Sequence, residues 1–386
     1  MAVQRLYLDH AATTPVASEV VAAMLPYLTD TFGNPASAHS FGREAREAVE
    51  RARCQVAASL GATPAEIVFT SGGTEADVLA LRGVAYAYRR RGNHIITTAV
   101  EHHAVLDTCL ALDAEGFEVT VLPVDHKGRV RPEDVEAALK PQTILISVMH
   151  ANNEVGTVQP IRAICEVAHR HGVLVHTDAV QSFGKIPVNV EDLGVDLLSI
   201  SGHKVYGPKG VGALYVRAGT LLLPLFQGGG QERGLRPGTE NVAGIVGLGH
   251  AAELSSRLLT EEMRRLRALR EDLKTALLAR IPGLRFNGDQ EDCLPGLLNF
   301  SIPGIDGPVL LEALDREGIA VSAGAACTAG EAKPSYVLLA MGVPAAYTRC
   351  PVRVTLGRST TKAEVQRFVT ILEELVVRLR EKKEEG

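Results

Sequence analysis

No excess of positive charge, no membrane-length apolar run and no Cys-x-x-Cys pair occurs in this chain of 386 residues. The formal net charge is −5, so nothing in the charge balance favours nucleic acid or an anionic membrane as a partner. A membrane-spanning helix needs about 20 consecutive apolar residues, and no stretch approaches that. The N-terminus, Met1-Ala2-Val3-Gln4-Arg5-Leu6, lacks the basic-then-apolar layout of a signal peptide. These absences predict a cytoplasmic protein. The six cysteines (Cys54, Cys109, Cys165, Cys293, Cys327 and Cys350) lack zinc-ribbon spacing, and a chain of this size and compartment does not need a disulfide framework. Most of them are expected to be small buried apolar groups.

What is present is the composition of an ordinary globular protein, 46% hydrophobic and 22% charged, long enough for two domains. Short apolar runs predict strands over 67–70, 94–98, 118–121, 143–149, 173–177, 197–200 and 211–216. Amphipathic stretches over 75–91, 103–115, 132–140 and 160–171 predict helices between them. Several strands are apolar without alternation, as in a mainly parallel sheet covered by helices on both faces. The pattern changes near 244–249. A long charged helical stretch follows over 251–280, then strands over 296–301, 319–322 and 352–355 and helices over 309–317 and 362–383. The predicted fold is α/β, with residues 16–254 as a large domain. Residues 1–15 and 255–386 form a smaller α+β domain, its first strand over 6–9.

Chemistry-bearing residues collect at the predicted strand ends, where open α/β sheets bind ligands. The strand over 197–200 runs into Ser201-Gly202-His203-Lys204 and then a Gly/Pro-rich turn. Such a lysine suits covalent attachment to the aldehyde of pyridoxal phosphate, with Ser201 and His203 as phosphate donors, or is an ordinary lysine in a polar loop. Ser71-Gly72-Gly73-Thr74-Glu75 joins a strand to a helix, where backbone N–H groups and the helix dipole favour an anion. Alone, it reads first as an ordinary Gly-rich turn capped by Thr74; Ser201 and His203 turn the reading toward a phosphate. Asp178 ends another strand and can pair with a pyridine nitrogen or cap a turn, while Gln181 can bond the ring's phenolic oxygen. His102, in Glu101-His102-His103, can stack on a ring and handle protons, or be structural. Asn152-Asn153-Glu154 places amides at a similar depth, for a ligand or for a turn.

Cys327 lies in Ser322-Ala323-Gly324-Ala325-Ala326-Cys327-Thr328-Ala329-Gly330. Small residues and glycines predict an exposed, mobile loop in which a thiolate is available as a nucleophile, the alternative being an incidental surface thiol. Cys350 is the only plausible substitute for it. Arg353 sits inside an apolar strand, where an arginine needs a fixed anion: a substrate carboxylate, or the partner of a structural ion pair.

In order along the chain, Tyr7-Leu8-Asp9-His10-Ala11-Ala12-Thr13-Thr14-Pro15, Gly33-Asn34-Pro35, Phe69-Thr70-Ser71-Gly72-Gly73-Thr74-Glu75, Ser201-Gly202-His203-Lys204, Gly228-Gly229-Gly230-Gln231-Glu232, Arg236-Pro237-Gly238-Thr239 and the stretch around Cys327 resemble the signatures of the cysteine desulfurases, in the class V aminotransferase group. The likeness spans essentially the whole chain, and the ordered set is far more specific than any one motif. It implies a fold-type I pyridoxal-phosphate homodimer converting L-cysteine to L-alanine, with sulfur passed to Cys327 as a persulfide.

By the same resemblance, Lys204 would carry the cofactor, Asp178 would face its ring nitrogen, and His102 would stack on the ring. Gln181 and Asn153 would fix ring and substrate. Gly73, Thr74, Ser201 and His203 would hold the phosphate with Thr239 of the partner subunit, and Arg353 would clamp the substrate carboxylate. No metal is implied. The loop is like that of the subgroup whose catalytic loop is mobile. A sulfur-acceptor protein, for iron–sulfur assembly or thiolation, is implied as partner. The tail is shorter than in members that dock a scaffold, which leaves the acceptor open. Ala323 and Ala325 replace serines common before the nucleophile, and Asp77 stands where asparagine is frequent. Selenocysteine lyase and a class V aminotransferase are the rival activities.

Overall fold

The computed structural model describes residues 5–324 and 334–384. Twelve strands occur among these residues: β1 (Leu6–Tyr7), β2 (Ile67–Thr70), β3 (His94–Thr98), β4 (Glu118–Leu122), β5 (Thr143–Ser147), β6 (Leu174–Asp178), β7 (Leu197–Ser201), β8 (Gly212–Val216), β9 (Arg285–Asn287), β10 (Leu297–Ser301), β11 (Ile319–Ala320) and β12 (Pro351–Thr355). Seven form one sheet in the order β2-β8-β7-β6-β5-β3-β4. All neighbours in it are parallel except β8, which is antiparallel to both β2 and β7.

The strands are apolar on both faces because both faces are covered. Ile67, Phe69, Ile96, Val175, Leu198 and Ile200 join one apolar cluster with the helices Ser40–Leu60 and Ile161–Arg170 and the start of Val242–Arg280. Val68, Ile95, Leu145, Leu197 and Leu214 join the opposite cluster with the helices Gly73–Ala87 and His103–Ala114. Each fully buried aliphatic side chain of this kind contributes about 1.5–3 kcal/mol. The strand predicted over 143–149 stops at Ser147, because the Met149 N–H is taken by the buried Glu101 carboxylate instead of a neighbouring strand.

The predicted change of pattern near 244–249 falls inside a helix. Val242–Arg280 is one helix of 39 residues, opened by the Asn241 side chain accepting from the Gly244 N–H. The expected boundary between residues 254 and 255 therefore lies within a continuous helix. Its start belongs to the core of the large sheet, and Leu266, Leu269, Leu273 and Leu277 belong to a separate cluster with Phe300, Val352, Val354 and Phe368. That second cluster packs the antiparallel sheet β12-β10-β9 and the two-stranded parallel sheet β1-β11 against the helix Lys362–Glu384.

The helix Ser40–Leu60 is not evident from the apolar pattern. Its buried stripe mixes small alanines (Ala45, Ala48, Ala52, Ala57) with Gly42, Arg53 and only three larger apolar side chains, Val49, Val56 and Leu60, a weak hydrophobic signal. Gly61 ends it in the left-handed conformation (φ 69°), with the Asn189 side chain against its Cα.

Candidate active site

The strands β2, β3, β5, β6 and β7 all end on one edge of the large sheet, and their continuations enclose a cavity of about 250 Å³. Ala11, Ala12, Gly73, Thr74, Asp77, His102, Met149, Asn153, Asp178, Val180, Gln181, Ser201, His203, Lys204 and Arg353 line it. Every candidate site residue except Cys327 and Thr239 is therefore in one wall or another.

Lys204 closes the short helical turn after β7, and its Nζ donates to the carbonyl oxygens of Ala11 (2.5 Å) and Ala12 (2.9 Å). The N-terminal segment, distant in sequence, thus holds the amine. Asp178 ends β6, buried, with the Val180 N–H donating to its Oδ1 at 2.8 Å. Burial raises its pKa, while His102, the Val180 N–H and Lys204 pull it back. His102 is the N-cap of His103–Ala114. Its Nδ1 accepts from the Ala104 N–H at 3.1 Å, which leaves Nε2 to carry the proton. Burial lowers the His102 pKa, with Asp178 acting against that shift.

At the phosphate end, the helix Gly73–Ala87 begins with a close approach. A Cβ on Gly73 would lie 2.7 Å from Val180 Cγ2, so only glycine brings this N-terminus so near the β6 turn. Thr74, Ser201 and His203 also line the adjoining mouth with Ser71 and Lys209. His203 Nδ1 is 3.1 Å from Thr13 Oγ1, and burial first, then Lys204, Lys209 and Lys185, lower its pKa to about 4.

At the other end Arg353, central in β12, donates from Nη1 to the Asn153 carbonyl (2.9 Å) and from Nη2 to Asp9 Oδ1 (2.8 Å). The structural ion pair is present, and the guanidinium is also part of the cavity wall. Arg353 Nε and Asn153 Oδ1 are buried without a hydrogen-bond partner.

Cys327 lies outside the described residues. The chain on either side of residues 325–333 meets the buried Glu154, next to Asn153. The Ser335 hydroxyl donates to Glu154 Oε2 at 2.5 Å, and a Cβ on Gly324 would be 2.8 Å from the same oxygen. Ser322 is bridged to Arg353 through their main chains. Thr239 is exposed and lines neither the cavity nor its mouth. Cys350 is corrected as a substitute nucleophile: it is fully buried, which pushes its thiol up to about 12. Cys109, Cys165 and Cys293 are buried too, and Cys54 is the exposed cysteine among those described.

Other wall residues escape a reading by motif. The Ala11 and Ala12 carbonyls act through main-chain atoms, which residue type does not reveal. Asp77 Oδ1 lies 3.6 Å from His176 Nε2. Burial, then the charge of Asp178, raises its pKa well above the usual carboxylate range. In the sequence it stands out only as a departure from a family pattern. No group of three or more metal-ligating side chains occurs among the described residues.

A primary amine at a strand end, a buried carboxylate opposite, an imidazole on a third strand end and a helix N-terminus with hydroxyl donors define a pyridoxal-phosphate enzyme. The donor set fits that group: Lys204 for the aldehyde, Asp178 for the ring nitrogen, and Gly73, Thr74, Ser201 and His203 for the phosphate. The unpartnered Asn153 and Arg353 atoms mark polar capacity that the protein itself leaves unused.

The chain belongs to the aminotransferase class-V family, whose model matches residues 6–368. It is 50% identical over 377 residues to the cysteine desulfurase IscS of Dictyoglomus turgidum, covering 98% of this chain and 96% of that one. A solved NifS-like protein superposes with a TM-score of 0.92 at 41% identity, over 97% of this chain and 100% of the other. A structure of SspA in complex with cysteine gives 0.80 at 40% identity, over 91% and 98%.

Proposed function

We propose that the chain is a pyridoxal-phosphate-dependent cysteine desulfurase, which converts L-cysteine to L-alanine and takes the sulfur onto Cys327 as a persulfide. The convergence of Lys204, Asp178, His102 and Arg353 on one cavity carries this reading. The cofactor, when bound, supplies an electron sink that acidifies the α-hydrogen of the amino acid and loosens its β substituent. Lys204 Nζ anchors it and, once displaced by the substrate amine, moves the α-proton. Asp178 holds the proton on the ring nitrogen, and Arg353, with Asn153, orients the substrate carboxylate. The Cys327 thiolate attacks the substrate sulfur; the new S–S bond forms as the carbon–sulfur bond breaks, and the three-carbon fragment leaves as alanine.

The finer reading is a cytoplasmic homodimer that hands its sulfur to an acceptor protein, for iron–sulfur cluster assembly or for thiolation of a cofactor or tRNA. Exposed apolar side chains at Leu25, Leu28, Phe32 and Phe41 support a partner subunit on that face, and Thr239, exposed and outside the lining of this chain's own cavity, is available to serve the partner's site. The five cysteines among the described residues are free, which supports a reducing compartment.

The test supplies L-cysteine to the cofactor-loaded protein, quantifies alanine, and seeks one added sulfur on Cys327 by mass spectrometry. Amino transfer to a keto acid without persulfide would select the aminotransferase reading. Turnover confined to selenocysteine would select the lyase.

A further inference from the structure

Gln181 lies between two cavities. One is the cofactor cavity. The other is smaller, about 40 Å³, and is lined by His10, Gln181, Lys185, Lys204, Tyr206 and Glu262 among others. Lys185 lines only the second. From there its Nζ donates to Gln181 Oε1 at 2.9 Å, while Gln181 Nε2 donates to the Ala11 carbonyl at 2.9 Å. These two partners fix the amide independently. A carbonyl can only accept, so the NH₂ group must face Ala11; the amide oxygen is then left for the amine, which donates to it.

We propose that Lys185 is a positioning residue that locks the Gln181 amide, so that Gln181 presents an N–H and not its oxygen to the cofactor's phenolic oxygen. The inference rests on the pyridoxal-phosphate reading of the cavity. Nε2 carries two hydrogens, and only one is spent on Ala11. The other is unspent, and Gln181 lines the cofactor cavity, where the phenolic oxygen would be an acceptor. Without the amine, Gln181 Oε1 would be buried with no donor, a cost that favours rotating the amide away from its present orientation. The spacing is apt, because a lysine four residues beyond Gln181 reaches it from behind, without entering the space the cofactor needs. The surroundings of the amine are mostly cationic. Burial, then Lys204 and Arg353, lower its pKa to about 7; His10 and His203 also feel its charge, and Glu262 stands across the cavity. Either protonation state of the amine can donate to the amide oxygen, so the lock holds through that range.

The test loads wild type, Lys185→Met, Lys185→Ala, Lys185→Arg, Gln181→Leu and the Lys185→Met/Gln181→Leu double variant with pyridoxal phosphate. It then follows the absorbance of the lysine-bound chromophore with pH and the melting temperature of each protein. Loss of the N–H donor makes the phenolic oxygen more basic, so Lys185→Met and Gln181→Leu should each raise the spectral midpoint by about one unit, a tenfold shift in the equilibrium. Lys185→Arg, which keeps a donor, should stay near wild type. The double variant should match Gln181→Leu alone, because Lys185 acts through the amide. If Lys185→Met does not fold, Lys185→Ala is held to the same outcome. A lowered melting temperature with an unmoved midpoint would overturn the proposal, and so would an equal shift in the Gln181→Leu background. A wild-type chain that takes up no chromophore on Lys204 would overturn the cofactor reading instead.

Discussion

Asp178 and His102 face one cavity from two different strand ends, and each favours the charged form of the other against the burial that disfavours both. That opposition is useful in a site that must hold a positive ring nitrogen. A carboxylate kept short of full stabilisation within the protein retains capacity for an incoming cation. The imidazole is held at Nδ1, which accepts from the Ala104 N–H.

Lys204→Ala should abolish covalent attachment of the cofactor and reduce alanine production to background. The amine is the nucleophile for the aldehyde, and the Ala11 and Ala12 carbonyls that hold it cannot replace it. Borohydride reduction and peptide mapping of wild type should place the label on Lys204. A label on Lys185 or Lys209 would reassign the anchor.

Cys327→Ser should separate the two halves of the reaction. Exchange of the α-hydrogen of L-cysteine with solvent needs only the cavity residues and should persist. Alanine and persulfide should vanish together, because a hydroxyl is scarcely ionised near neutral pH. Cys350→Ser and Cys54→Ser should keep alanine production. Loss of activity in either, with Cys327→Ser active, would show that the nucleophile lies elsewhere.

Gly73→Ala should weaken cofactor affinity by about tenfold or more, since the added methyl meets a stiff β-branched side chain at 2.7 Å and the phosphate-binding helix must retreat. Adding Val180→Ala opens the space and should recover most of the affinity. Equilibrium binding of pyridoxal phosphate measures both. An unrepaired double variant would argue against the steric cause.

His150 and His176 are buried, and burial lowers their pKa values to about 4 and about 3. Both fold as neutral rings, held by Ser182 and by the Ser147–Ser199 pair respectively. Protons therefore bind the unfolded chain first. Their contribution to stability is full above pH ~6.5 and is lost as pH falls toward the folded values, by up to about 1.4 kcal/mol per pH unit for each ring. Denaturant titrations between pH 7 and 5 should show this slope, and His176→Asn should remove one proton from it. An unchanged slope in the variant would contradict the assignment.

Arg53→Met should destabilise the fold by about 3–5 kcal/mol, the cost of stranding a buried charge. Arg53 donates to Glu232 from Nη2 and Nη1, at 2.7 and 2.8 Å, with the Phe69 N–H donating to the same carboxylate. Glu232 holds a left-handed backbone (φ 45°) in the Gly-rich segment that leads to Thr239, so the pair also fixes that segment. Thermal unfolding measures the loss. The Arg53→Met/Glu232→Leu double variant should regain part of it.

Sequence alone determined the parallel sheet and the ordered set of strand-end residues. Both are local: covered strands need uninterrupted apolar runs, and Lys204, Asp178 and the Gly72-Gly73-Thr74 turn each follow their own strand. Three things required the tertiary structure. The Ala-rich helix Ser40–Leu60 and the unbroken helix Val242–Arg280 are defined by what they pack against, which apolar periodicity reads poorly. The grip of Ala11 and Ala12 on Lys204 joins main-chain atoms to a side chain 192 or 193 positions away. Likewise, the fate of each polar side chain was decided only by who stands opposite: Arg353 meets Asp9, and Lys185 meets Gln181 at the back of the cofactor cavity. Residue type sets what a group can donate or accept, but burial and the approach of distant segments decide what it does.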